Sequence, residues 1–300
     1  MSTPRSLRIP DRVSRTQVRT SRGRFAAFIA EPADLPVHQP ALLVPGYTGS
    51  KEDFLTILGS LAAAGRSVVA IDMRGQFESP PASDGTGYTP QHLAADIVAL
   101  ARSVSSDSSR VHLLGHSFGG LVARDAVLAD RDAFLSLTLL GSGPGTIAGH
   151  RAADLRELLD YVGPAGTDVA ALTSLVSGLW DARLGPQAEA DGIPAHVIGF
   201  LRDRMTRTCP LGLIHMARRL LDCPDRTAEL AAQADLPKLV SFGEDDDAWP
   251  PDVQDLMARR LGAECVCIAG TAHSPAVEAP ETSAAMLTAF WNRAEAACGD

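Results

Sequence analysis

Residues 111–127 read VHLLGHSFGGLVARDAV. The apolar run Val111–Leu114 has the look of a strand, and the apolar residues after Phe118 return at helical spacing. Between them stands Gly115-His116-Ser117-Phe118-Gly119, with a polar serine at the centre of the junction. In sheets covered by helices, reactive groups collect at the C-terminal ends of the strands, where Ser117 falls. A sharp strand-to-helix turn strains the serine backbone and lifts its side chain out of the sheet. The positions two before and two after are crowded by such a turn, and glycine at 115 and 119 removes the offending Cβ atoms. The turn also leaves the Phe118 N–H free at a helix N-terminus, aimed where a developing anion would be stabilised. A glycine-rich turn with an idle, solvated serine is the plainer alternative.

Outward from this junction the sequence alternates. ALLVPG (41–46) precedes a helical pattern in KEDFLTILGSLAAAG (51–65), and SVVAIDMRG (67–75) precedes TPQHLAADIVALARSV (89–104). Thr89 suits the N-cap of that second helix and Pro90 its first position. RVHLLG (110–115), a helix over 118–129 and FLSLTLLG (134–141) continue the series. Nearly unbroken apolar strands alternating with helices predict a mostly parallel sheet covered on both faces, an α/β fold. From about Gly141 to Ala234 strand signals vanish, and helical stretches separated by Gly and Pro take over. Alternation resumes with PKLVSFG (237–243), a helix over 250–262, AECVCIAG (263–270) and a final helix over about 278–296. The expected organisation is a core of residues 1–140 and 236–300, interrupted by an all-helical insertion over 141–235.

Bulk composition sets limits. The chain has 300 residues, of which 45% are hydrophobic and 21% charged, and carries a formal net charge of −9. That sign repels a phosphate backbone, so nucleic acid is not an expected partner. No apolar run is long enough to span a bilayer. The first residues contain no apolar signal-peptide core; VSRTQVRT and FAAFIAEP read instead as two strands joined by a turn at 21–24. Five cysteines without CxxC spacing are read as small buried apolar residues in a reducing, cytoplasmic setting, with Cys265 and Cys267 sharing one strand face. No histidine cluster has ligand spacing, so no metal and no cofactor are expected. The sequence is silent on oligomeric state.

The strand–G-x-S-x-G–helix unit, the order of motifs and the helical insertion resemble the α/β-hydrolase superfamily over nearly the whole chain. The resemblance places Ser117 on the nucleophile. It implies a base just beyond the last strand, where IAGTAHSP supplies His273, similar to the family's small-residue–His–Ser–Pro loop. It implies an acid after the preceding strand, where LVSFGEDDDAWPP offers Asp246 bracketed by Gly243 and Pro250, with Asp245 and Asp247 as the neighbouring alternatives. LLVPGYTG is similar to the family's H-G-x-x-G loop, with Pro45 in place of histidine; by position the Tyr47 N–H joins that of Phe118 in an oxyanion hole. The family's D-x-R-G-x-G-x-S appears as DMRGQFES, in which Phe77 replaces glycine and Gln76 the common histidine, so the geometry of that turn is in question. Among other histidines, His112 reads as a satisfied core residue and His116 as a packing residue turned away from the serine.

The activity implied is a cofactor-free serine hydrolase with an acyl-enzyme, acting on a small to medium, mostly apolar ester, thioester or lactone under the helical cap. Trp180 and Trp249 are candidate substrate contacts. Other chemistries that keep the serine, haloperoxidase or carbon–carbon bond hydrolysis, remain open, as does a non-catalytic ligand-binding protein on the same fold.

Overall fold

The computed structural model describes residues 2–82, 87–105 and 110–298. The chain opens with strands β1 (Val13–Thr20) and β2 (Gly23–Ala30), an antiparallel hairpin turning at Ser21–Arg22. There follow β3 (Ala41–Val44), α1 (Leu55–Ala63), β4 (Val68–Ile71), α2 (Pro90–Val104), β5 (Val111–His116), α3 (Phe118–Ala129) and β6 (Phe134–Leu140). The Thr89 hydroxyl caps α2 by accepting from the His92 N–H. After β6 come helices α4 (Gly149–Val162), α5 (Val169–Leu179), α6 (Gly185–Ala190), α7 (Ala195–Arg207), α8 (Pro210–Asp222) and α9 (Thr227–Ala231). The chain then returns through β7 (Lys238–Gly243), α10 (Pro251–Leu261), β8 (Glu264–Ile268), α11 (Pro275–Glu278) and α12 (Pro280–Cys298).

The strands form one sheet in the order β1-β2-β4-β3-β5-β6-β7-β8, antiparallel at β1-β2-β4 and parallel from β4 onward. Alternate residues along the strands feed opposite layers, as the two-residue period requires. Leu42 and Leu113 pack into the layer under α2, α3 and α10, whereas Leu43 and Leu114 pack into the layer of α1 and α12. The register sets Val44 beside Gly115, His116 beside Leu140 and Leu140 beside Ser241. The loops leaving β3, β5, β6, β7 and β8 therefore emerge along one edge, with the α4–α9 insertion rooted there.

The final helix expected over about 278–296 is α12, preceded by the short α11, which stops because Pro280 lacks the N–H to continue it. One expectation needs correction. Cys265 and Cys267 are exposed, not buried: β8 is the last strand of the sheet and one of its faces is uncovered. Cys223 is buried and Cys209 half-buried, while the side chain of Cys298 lies outside the described residues. Among the described residues, no helix is long and apolar enough to cross a membrane and no group of three or more His, Cys, Asp or Glu side chains could hold a metal ion.

Candidate active site

The junction that opens the sequence reading is strained, as a sharp strand-to-helix turn demands. Ser117 has φ 55° and ψ −122°, a conformation that side chains other than glycine rarely adopt. It is held by its N–H donating to the Leu140 carbonyl (2.9 Å) and by its carbonyl accepting from the Gly120 N–H (2.9 Å). A Cβ at Gly115 would strike the backbone of Gly119 and Gly120, and one at Gly119 would strike the carbonyls of Val44 and Pro45. Glycine at 115 and 119 is thus a steric requirement of the turn.

Ser117 Oγ lies 2.8 Å from His273 Nε2, and His273 Nδ1 lies 2.9 Å from Asp246 Oδ1. The three groups come from the ends of β5, β7 and β8, so the parallel register assembles residues 156 positions apart. Asp246 is buried, while Asp245 and Asp247 on either side are exposed. Asp247 instead pairs with Arg151 (2.6 Å) at the rim. Burial works against charge on Asp246. Hydrogen bonds from His273, the Ala248 N–H (2.9 Å) and Gln254 Nε2 (2.9 Å) outweigh it and hold the carboxyl below its usual value. This is a carboxylate that stays ionised and locks the imidazole in the tautomer that presents Nε2 to the serine.

The loop after β3 lies against the serine: a Cβ on Gly46 would sit 3.1 Å from Ser117 Cβ. As the first residue of α3, Phe118 has no carbonyl four residues back for its N–H. Tyr47 keeps its phenol buried without a hydrogen-bond partner, and burial pushes its pKa up.

Further residues hold this arrangement, among them Glu278 and Gln254, which no sequence pattern marks. Gln76, fully buried, donates from Nε2 to the carbonyls of Gly46 (2.8 Å) and Tyr47 (3.1 Å), while its Oε1 accepts from the Met73 N–H (3.0 Å). Glu278 accepts from the N–H groups of Ala272 and Ser274 (2.8 Å), bracing the loop that carries His273. His116 does not bond the serine, as expected, yet it is more than packing. Its Nε2 meets the His273 carbonyl at 2.8 Å, and burial, with His273 alongside, lowers its pKa to about 4. Neutral His116 can therefore donate that bond. His112 is the satisfied core residue expected, between Ser136 Oγ (2.7 Å) and Glu295 Oε1 (3.0 Å).

Phe77 answers the question raised by its departure from the family pattern. Its φ is +38°, so the backbone keeps the left-handed geometry that favours glycine. The ring lies 4.9 Å from Lys51 Nζ and 4.8 Å from the Arg207 guanidinium carbon, edge-on to Phe200 at 5.6 Å. Its N–H donates to Thr208 Oγ1 (3.1 Å).

A cavity of about 830 Å³ opens beside Ser117 and His273 and is lined by Tyr47, His116 and aliphatic residues of α4, α5 and α8. The two candidate tryptophans do not line it, which corrects the expectation. Trp180 is buried among Val176, Val197, Leu201 and Met205 in the packing of the inserted helices. Trp249 is buried below the site, its Nε1 donating to the Gly145 carbonyl (3.2 Å).

A mostly parallel sheet with a serine raised on its central strand, facing an imidazole and a buried carboxylate, defines a hydrolase-type α/β protein. The sequence profile of the alpha/beta hydrolase family matches residues 41–286, and the chain belongs to that family. It is 32% identical over 226 residues to RutD of Variovorax paradoxus, a proposed carbamate hydrolase, covering 73% of this chain and 80% of that one. It is 25% identical over 279 residues to a proline iminopeptidase of Lactobacillus delbrueckii, covering 85% and 89%. Among solved structures, a thermophilic esterase from Thermogutta terrifontis superposes with a TM-score of 0.69 at 22% identity, covering 94% of this chain and 99% of that one. The protein is a hydrolase of this fold.

Proposed function

We propose that this protein hydrolyses carboxylic esters through an acyl-enzyme on Ser117. The observation that carries the reading is the continuous hydrogen-bonded line from Ser117 Oγ through the His273 ring to Asp246. His273 Nε2 takes the hydroxyl proton as Oγ attacks the ester carbonyl, and Asp246 holds and stabilises the resulting imidazolium. The N–H groups of Tyr47 and Phe118 hold the tetrahedral oxyanion, each such donor contributing roughly 3–4 kcal/mol at the transition state. His273 then gives its proton to the departing alkoxide. A water, deprotonated by the same nitrogen, attacks the acyl carbon and releases the acid and the free serine. The α4–α9 insertion serves as a cap that limits water around the acyl-enzyme.

The relatives' names suggest other substrates. A carbamate is small beside a cavity of about 830 Å³. An amino-terminal peptide carries an ammonium that calls for a free buried carboxylate, whereas Asp53, the buried carboxylate on the cavity wall, is occupied by Arg204 at 2.8 Å. The test is covalent labelling. A fluorophosphonate should add its mass to Ser117 with loss of p-nitrophenyl ester hydrolysis, and Ser117→Ala should abolish both. Unlabelled wild-type protein, or an active Ser117→Ala variant, would overturn the proposal.

A further inference from the structure

On the ester-hydrolase reading, we infer that the cap cavity takes the aliphatic chain of an uncharged ester and that Leu158 and Leu179 set the accepted length.

Three observations point this way. The first is size: about 830 Å³ lies toward the upper end of the roughly 300–1,000 Å³ typical of small-molecule sites. An acetyl or carbamoyl group would leave most of it filled by water against apolar walls, which is unfavourable.

The second is the chemistry of the walls. Leu155, Leu158, Leu172, Val176, Leu179 and Ile214, from α4, α5 and α8, supply a continuous aliphatic surface. The aromatic side chains bordering the cavity are Tyr47 and Tyr161, besides the histidines of the reacting end. Flexible aliphatic side chains mould to a flexible chain, whereas flat ligands are usually held by aromatic faces.

The third is charge. Ionisable groups along the cavity are engaged with the protein itself: Asp53 with Arg204 (2.8 Å), Arg151 with Asp247 (2.6 Å), and Glu157 with Arg183 (3.3 Å). Glu278 is taken by backbone N–H groups, and Asp154 lies exposed at the solvent side. A carboxylate or ammonium set among the paired groups would compete with one of these bridges, whereas a neutral chain disturbs none; the exposed Asp154 meets a cation only at the solvent side. The Arg151–Asp247 and Arg183–Glu157 pairs are open to solvent, so this charge sits at the outer side of the cavity and the aliphatic wall within.

The test uses two ester series with the full-length enzyme: p-nitrophenyl alkanoates from acetate to palmitate, and alkyl acetates from methyl to dodecyl. The first lengthens the acyl side and the second the alcohol side, so they identify which half occupies the cavity. In one series kcat/KM should rise about two- to fourfold per methylene and then fall once the chain reaches Leu158 and Leu179. Leu158→Trp and Leu179→Trp fill the cavity from two half-buried positions, so one remains informative if the other fails to fold. Each should lower the long-to-short ratio of kcat/KM in the series that responds to chain length at least tenfold. Binding of uncleaved decyl and methyl esters to Ser117→Ala, followed by calorimetry, separates the two readings. Chain-dependent binding without any turnover would remove the ester-hydrolase proposal and keep this one. Short esters preferred in both series, unchanged ratios in both folded tryptophan variants, or binding indifferent to chain length would overturn it.

Discussion

Gln76→Glu changes one atom and tests whether the Gly46–Tyr47 loop, the proposed source of one oxyanion donor, is aimed from behind. Gln76 Nε2 donates to the carbonyls of Gly46 and Tyr47 at 2.8 and 3.1 Å, in a fully buried setting. Glutamate keeps the acceptor for the Met73 N–H but, even if protonated, offers a single hydroxyl proton to two carbonyls. At least one buried carbonyl is orphaned, at about 1–3 kcal/mol, and an ionised carboxylate would repel both. A stability loss of about 2–4 kcal/mol follows. The orphaned carbonyls flank the Tyr47 N–H, so that donor should tilt away from the serine. Full loss of one oxyanion donor costs about 10²–10³ in kcat, and a displaced donor should cost about 10–100-fold. Gln76 does not line the cavity, so KM should stay within about threefold. The assay is steady-state ester hydrolysis, with kcat expressed per serine titrated by a fluorophosphonate, at a temperature where denaturant curves show the variant folded. A folded Gln76→Glu with kcat per titrated serine within twofold of wild type would refute the positioning role.

Three further outcomes are expected. Asp246→Asn should lower kcat by about 10⁴ while Asp245→Asn stays within twofold; equal effects in the same ester assay would reassign the acid. Gly119→Ala should be destabilised by about 3 kcal/mol or fail to fold, because its Cβ meets the Val44 and Pro45 carbonyls; a wild-type urea midpoint would contradict the crowding of the turn. Stability should fall as pH drops from about 6.5 to 4. Burial lowers His112 and His116 to about 4 in the folded protein, so across that window the unfolded chain binds more protons and acid favours it, by up to about 3 kcal/mol per histidine. Glu295, lowered to about 2, acts in the same direction only below about 4.5. Urea midpoints at intervals between pH 7 and 4 measure the slope, and a flat profile would mean these rings are not held neutral.

The strands were readable because each is buried on both faces and so nearly continuous in apolar residues: Leu42 and Leu113 serve one layer, Leu43 and Leu114 the other. Ser117, Asp246 and His273 were readable because the register of a parallel sheet brings strand ends together, whatever lies between them in sequence. Helix starts were less clear. KEDF, which continues the helical pattern of 55–63, forms a separate 3-10 turn, since the Lys51 N–H and ammonium are both drawn to Asp72 (2.7 and 3.0 Å). The supports of the site left little local pattern. Arg204 reaches Asp53 across 151 positions, Gln254 is an ordinary polar residue until its partners are seen, and Gln76 stands out only as a replacement for the family's common histidine, with no sign of the carbonyls it holds. The tryptophans misled for the opposite reason: large side chains at the end of an apolar stripe or beside the acid suggest a pocket wall, yet both complete the packing beneath one.

Phe77 joins these levels. A bulky residue in a left-handed conformation costs about 1–3 kcal/mol, and the cost persists only where the surroundings fix it. Here they do: Lys51 from the segment after the Gly46–Tyr47 loop and Arg207 from α7 both flank the ring, and Thr208 accepts the backbone N–H. The neighbouring contact runs the same way, with the Cys209 N–H donating to the Gly75 carbonyl at 2.7 Å. One turn, residues 75–77, thus grips the inserted helices on its outside through Gly75 and Phe77. On its inside it grips the Gly46–Tyr47 loop through Gln76. Glycine at 77 would satisfy the backbone but lose the aromatic contact with α7. The departure from the family pattern therefore keeps the geometry of the turn and adds a fastening between the inserted helices and the loop beside Ser117.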